Sequence, residues 1–536
     1  MPALSKIEPA PVIPRAYSAA SQGVSPDRAF LRRLSLVAVA LGCLLRIVQY
    51  LLDRSLWMDE AYLSLNILHR SYAGLCRALD YHQGAPIGFL LLEKSVVRFW
   101  GGSEYALRLL PLLAGIASVL MFYWLASKVL PPKAVPIAAG LFAISPPLIY
   151  YSAEVKQYSS DAAIALLLYG LTIEGSKSEW KAGRTALVAL AGATAIWVSH
   201  SSVFVLAGLG VTIFVALVLR KDWARLARVS FIGLCWMASM AVCYVVALRK
   251  LASDGELLNY WNANFMPLPP RSVTDLKWFV DSFFGFFSSS AGLKFTGLAA
   301  LVFVLGSISM FRKSAERLFL LLSPAIVTLL ASGLHKYPFG GRLALFLVPP
   351  VLLLMAEGTE AFCSPASASL PAIGWVLIPL LFLDPGTYIL HHFAKPHTEI
   401  AQPGVMLPEE IRPVMAYVRN HEQPGDLVYV FYGAEPAFDY YAERSNFPRN
   451  NVEIGTAAGN DPQIYESDLD RLRGRRVWVV LSHIRGVGAE ESKHTEFYLD
   501  MLGPRLDSLS VAGAETYLYD LRNAALLPDA PSQPAR

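Results

Sequence analysis

Apolar runs of about 16 to 22 residues recur from residue 33 to residue 390, and a helix of that length is what crosses a hydrocarbon layer of roughly 30 Å. They fall near 33–52, 106–126, 134–149, 159–173, 185–199, 203–219, 229–248, 293–311, 317–334, 343–358 and 370–390. The expectation is therefore a polytopic α-helical membrane protein with about eleven transmembrane helices. Composition agrees: 54% of residues are hydrophobic and 16% charged, against roughly 25% charged in a typical soluble domain, and the mean hydropathy is +0.42. An ordinary soluble enzyme is excluded. The net charge of +4 leaves no footprint for nucleic acid, and none is expected as a partner. The five cysteines show no paired spacing, so neither a disulfide framework nor a zinc site is implied.

Lys and Arg in short loops are retained on the cytoplasmic side. With the amino terminus and Arg28, Arg32 and Arg33 inside, the alternate short loops carry Lys128 and Lys133, then Lys177, Lys181 and Arg184. The following two carry Arg220, Lys221, Arg225 and Arg228, then Arg312, Lys313 and Arg317. Every basic short loop falls on one side. Residues 53–105 and 249–292 are then external loops of a transmembrane domain at 31–390, after a disordered cytoplasmic leader at 1–30. From residue 391 short β-rich runs such as "DLVYVFYG" and "RVWVVLSH" alternate with helical stretches such as "PEEIRPVMAYVRN". That pattern suggests a small extracytoplasmic α/β domain at 391–522 with a partly parallel sheet, followed by a disordered tail at 523–536.

Three external stretches carry chemistry. "WMDEAY" places Asp59 and Glu60 at the start of an amphipathic helix lying in the interface, where the helix dipole favours negative charge. "SAEVKQYSSD" would open a transmembrane helix, with Glu154, Tyr158 and Asp161 on one face at i, i+4 and i+7 and Lys156 beside them. "HKYPFGGR" groups His335, Lys336, Tyr337 and Arg342 around a glycine turn. These cations stand on the face opposite the one that basic short loops prefer, and an anionic ligand is a natural reason. Carboxylates that can take a proton thus share a membrane face with Lys and Arg groups that can hold a phosphate. Arg46, inside the first apolar run, is read as snorkelling or binding a lipid head group.

The order "DEAY", then His82 and Pro86 in "HQGAPIGFLLLEKSVVRFWGGSEYALRLLP", then "SAEVKQYS", then "YPFGGRLALFLVPP" resembles the polyprenyl-phosphate-sugar-dependent GT-C glycosyltransferases. Among these it is similar to the protein O-mannosyltransferases and the bacterial lipid A aminoarabinose transferases. The likeness covers the chain to about residue 200 and returns at 335–355. It implies that Asp59 is the catalytic carboxylate and Glu154 the second acidic residue. Lys156, where relatives often have the arginine of "REAR", would approach the donor phosphate with Arg342, His335 and Tyr337. Glu60, His82 and Tyr158 would line the substrate. Aminoarabinose transferases have a lysine shortly after the histidine, where this chain has Gly84 and Ala85. The implied reaction is inverting transfer from a polyprenyl-phosphate sugar to a glycolipid, polysaccharide or protein hydroxyl at the outer face of a cell membrane, that of a bacterial inner membrane. No cofactor is specified. Two acidic residues are compatible with a divalent cation but have no spacing that defines a metal site. In the tail, Tyr432, Glu435 and Asp439 are candidate acceptor contacts. A flippase, or a non-catalytic scaffold with an external binding domain, is the alternative.

Overall fold

The computed structural model of the protein describes residues 26–177, 182–363, 371–457, 462–485 and 488–524. Most of the expected leader, and the expected tail beyond residue 524, lie outside them. Two compact units are formed: one of Met1–Leu52, Arg70–Ala394 and Gln402–Val405, the other of Asp53–His69, Lys395–Ala401 and Met406–Arg536. The acidic pair at 59 and 60 therefore belongs to the same unit as the carboxy-terminal domain, although more than three hundred residues separate them in sequence.

The first unit is a multi-pass helical membrane domain. Among the described residues eight helices are long and apolar enough to cross a membrane, or up to nine if the pair Ala134–Ile144 and Pro146–Ala153, bent by 57°, is one span. The two other expected passes are helices of a different character. Ala182–Val198 has only 17 residues. Tyr158–Lys177 opens on "YSSD" and closes on "EGSK", and these polar ends shorten its apolar stretch below a full crossing.

The bend between Ala134–Ile144 and Pro146–Ala153 has a readable cause. Pro146 and Pro147 have no N–H to give to Phe142 and Ala143 four residues earlier, so a continuous helix would leave two carbonyls unpaired in a low-dielectric interior. Arg46 supplies what the prolines cannot. It is 1% exposed, and its guanidinium donates to Phe142 O and Ala143 O at 3.4 Å each and to Gly42 O at 2.9 Å. It also lies 5.4 Å from the Phe142 ring centroid. The reading of Arg46 as a snorkelling or lipid-binding residue is corrected: it is an internal cap for a broken helix.

Helices Thr296–Lys313 and Val348–Cys363 approach backbone to backbone at a reciprocal glycine pair. A Cβ on Gly306 would lie 1.8 Å from Leu354 O, and one on Gly358 would lie 2.0 Å from Val302 O. Close approach of this kind is how membrane helices gain dispersion contacts without a hydrophobic driving force. Gly306→Ala is expected to force the pair apart at a cost of about 1–3 kcal/mol, read as a lower thermal midpoint in detergent. Gly297→Ala on the same helix, where a Cβ meets nothing within 4 Å, should not lower it.

The second unit is built on a five-stranded mixed sheet of order β2-β1-β3-β5-β4, with β1 at Leu427–Val430, β2 at Val452–Ile454, β3 at Arg476–Ser482, β4 at Arg505–Val511 and β5 at Ala514–Asp520. β1 pairs in parallel with β2 and β3, whereas β5 runs antiparallel to β3 and β4, so the expected partly parallel α/β domain is present. "VWVVLS" of β3 is buried at every position, as a central strand covered on both faces requires. The edge strand β4 instead alternates between exposed and half-buried residues. Helix Met58–His69 packs against Glu435–Ser445 in this unit.

Candidate functional site

In the membrane unit the bent helix pair unwinds at its end. Tyr151–Ala153 forms a single 3₁₀ turn and Glu154 is extended at φ −133° and ψ 139°. The Lys156 N–H closes a three-residue turn onto Glu154 O at 2.7 Å, which takes it out of any helical ladder, and the next helix begins only at Tyr158. The expected helical face of Glu154, Tyr158 and Asp161 is therefore corrected: Glu154 precedes the helix. Irregular backbone is tolerated at membrane depth where protein or a cavity surrounds it, and here residues 150–163 are all buried.

The side chains of this stretch are polar yet enclosed. Glu154 is 0% exposed, Lys156 3% and Tyr158 5%. Lys156 donates its Nζ to Gln83 Oε1 at 2.6 Å, and Gln83 lines a cavity of about 120 Å³ together with Arg77, Lys250 and Asp254. Arg342 enters from the "PFGGR" turn, where Gly340 and Gly341 have φ of +143° and +51°. Its guanidinium carbon lies 5.7 Å from the Tyr158 ring centroid and 5.6 Å from that of Trp261. The structure thus joins Tyr158, Trp261 and Arg342 by cation–π contact, and the Lys156 side chain to the loop after His82.

Other expected residues are placed differently. Tyr337 donates its hydroxyl to Leu343 O at 3.0 Å and packs at a tilt against Phe204, while His335, left-handed at φ +54°, stacks on Phe265; both brace the turn that presents Arg342. His82 is also left-handed at φ +50°, and its Nδ1 pairs with Asp254 at 2.9 Å. That hydrogen bond, with the carboxylate's charge, raises the exposed His82 imidazole above its ordinary value.

In the second unit Asp59 and Glu60 occupy the first turn of helix Met58–His69, Asp59 half-buried and Glu60 1% exposed. The segment leading into that helix is anchored to the carboxy-terminal domain. Ser55 donates from both N and Oγ to Glu410 Oε2 at 3.1 and 2.9 Å. Leu56 N donates to the Tyr441 hydroxyl at 2.8 Å, and Arg412 pairs with Asp53 at 2.8 Å. Met58 N donates to Glu409 Oε2 at 3.3 Å. Tyr432 donates a short hydrogen bond to Glu491; burial and that bond push its hydroxyl up to about 12, with a smaller contribution from Tyr62 on the Asp59 helix. Glu435 lies nearby in sequence, and Asp439 is paired with Arg449 at 2.9 Å.

No pattern in the sequence singles out Gln83, Glu409, Glu410 or His483. Among the described residues no group of three or more His, Cys, Asp and Glu is arranged to hold a metal.

Comparison with known proteins bears on the fold. No protein-family model matches the chain, and no curated protein matches it in sequence. Solved structures do match. ArnT, the lipid A aminoarabinose transferase, from Cupriavidus metallidurans in the apo state aligns at TM-score 0.51 and 12% identity, over 92% of this chain and 99% of that one. The same enzyme bound to undecaprenyl phosphate aligns at TM-score 0.52 and 13% identity, with the same coverage of both chains. The archaeal oligosaccharyltransferase AglB from Archaeoglobus fulgidus, in complex with an inhibitory peptide and a dolichol-phosphate, aligns at TM-score 0.49 and 11% identity over 93% of this chain and 75% of that one. The protein is thus a multi-pass membrane protein with the fold of the GT-C glycosyltransferases.

Proposed function

We propose that the protein is an inverting membrane glycosyltransferase that moves a hexose or pentose from a polyprenyl-phosphate carrier to an acceptor hydroxyl at the outer face of a bacterial inner membrane. The observation that carries this reading is the non-helical, fully buried stretch holding Glu154 and Lys156, which leads into the helix opening at Tyr158, with the half-buried Arg342 guanidinium over the Tyr158 ring. A buried lysine beside irregular backbone is costly unless it is paired or serves an anion. Lipid phosphate is the anion a membrane presents, and one fold neighbour was solved with undecaprenyl phosphate bound.

In this mechanism Lys156 and Arg342 hold the donor's phosphate. Asp59 takes the proton from the acceptor hydroxyl as its oxygen attacks the anomeric carbon, and the carbon–oxygen bond to the phosphate breaks on the opposite side. The polyprenyl phosphate leaves with the electron pair, its developing charge met by the two cations. Basic short loops all fall on one side of the apolar runs, which supports an external position for the catalytic loops and the α/β domain.

The test is incubation of the purified protein with a panel of polyprenyl-phosphate hexoses and pentoses plus glycolipid, polysaccharide and peptide acceptors, with products read by mass spectrometry. One donor is expected to be consumed with inversion at the anomeric carbon. No product from any donor, by a protein that binds undecaprenyl phosphate, would favour a transport or scaffold role.

A further inference from the structure

Glu409 is one residue long in its consequences but two-sided in its contacts. Its Oε2 accepts the Met58 N–H at 3.3 Å, at the first position of the helix that carries Asp59 one residue later. Its Oε1 lies 2.8 Å from His483 Nδ1. Glu409 is 6% exposed, and His483 stands just past the end of β3 in the left-handed region at φ +59°, which histidine visits more readily than most residues with a side chain. A single buried carboxylate thus ties the backbone beside Asp59 to the imidazole at the end of β3.

We propose that His483 is a positioning residue for the Asp59 carboxylate: through Glu409 the carboxy-terminal domain links the His483 imidazole to the turn that carries Asp59 and fixes the orientation of that carboxylate. The inference rests on the reading of Asp59 as the acceptor's base. The charges around the ring agree with it. Burial lowers the affinity of His483 for a proton, but the hydrogen bond to Glu409, the charge of Glu409 and the charge of Asp59 outweigh it and raise the imidazole above its ordinary value. The neighbouring charged groups are already engaged: Arg485 with Glu399, and Glu410 with Ser55 and His397. The ring thus bonds directly to Glu409 and also feels the charge of Asp59.

The sign follows. A raised imidazole keeps its proton to a higher pH than an ordinary one and loses it as pH rises through the raised value, so transfer should fall on that alkaline side. His483→Gln is expected to reduce turnover about tenfold with little change in donor KM, to erase the alkaline fall and to move the acid limb of the pH–rate profile upward, because Asp59 loses a neighbouring cation. His483→Lys, which meets the same left-handed backbone with a fixed charge, should keep the acid limb in place. Should the Gln variant not fold, Glu409→Gln reads the same coupling: the charge that keeps His483 protonated is gone, so the alkaline fall moves to lower pH. If the Gln and Lys variants fold and share one profile, or Glu409→Gln leaves the alkaline fall in place, the positioning role is overturned. Asp59→Asn assayed beside them separates the two ideas, since transfer that survives it removes the underlying role of Asp59 itself.

Discussion

Asp59→Asn is expected to reduce sugar transfer by about 10²–10⁴-fold, the range that a positioned general base contributes, with insertion and binding of undecaprenyl phosphate unchanged. Asparagine keeps the size of the side chain and its ability to accept from the first-turn N–H groups of helix Met58–His69, so the helix start is preserved while the proton acceptor is lost. In the proposed mechanism donor binding rests on Lys156 and Arg342, so it should not respond. The bland alternative is that Asp59 is there only for the helix dipole, worth about 0.3–1 kcal/mol; in that case the variant would lower stability slightly and leave turnover at a given donor concentration intact. Isotope-labelled donor in single-turnover assays distinguishes these, because the base acts in the chemical step. Turnover within threefold of wild type would remove Asp59 from the reaction.

The membrane passes and the α/β domain were legible because both rest on periodicity and run length, which are local properties of a chain. The apolar runs at 33–52, 106–126 and 203–219, for example, recur as helices Pro26–Leu51, Glu104–Val129 and Ser202–Leu219, and the two β-rich runs of the tail become β1 and β3. The placement of Glu154 was misread because a turn closed by one short backbone hydrogen bond, Lys156 N to Glu154 O, carries no sequence period. Glu409 and His483 were invisible for a different reason. Their relation to Met58 and Asp59 spans 351 residues for the Met58–Glu409 bond, and a single hydrogen bond at that separation leaves no pattern in composition or spacing. "PEEIRP" could be seen to open a helix, but not to reach back to the residue preceding Asp59. Arg46 shows the same limit: a lone arginine in an apolar run reads as a surface-seeking side chain until Pro146 and Pro147, a hundred residues later, are seen to leave carbonyls for it.

Arg46→Met should lower the thermal midpoint by roughly 2–7 °C in detergent, because two buried carbonyls at Phe142 and Ala143 would lose their donor at about 1–3 kcal/mol each. Methionine roughly preserves the volume and apolar contacts of the arginine stem, so the loss isolates the guanidinium. Arg46→Lys should recover only part, since one ammonium on a shorter reach cannot fork across two successive carbonyls. The decisive comparison is with the prolines. If Arg46 is present because Pro146 and Pro147 lack N–H groups, replacing both by alanine returns donors four residues after Phe142 and Ala143, and Arg46→Met should cost less in that background than in wild type. Such coupling between positions a hundred residues apart in sequence is what a double-mutant cycle detects. Equal costs in both backgrounds would show that the arginine is held for another reason. The bend leads directly into Tyr151 and Glu154, so under the proposed function a straightened segment should also weaken undecaprenyl-phosphate binding, linking one helix cap inside the membrane to the proposed donor site beyond it.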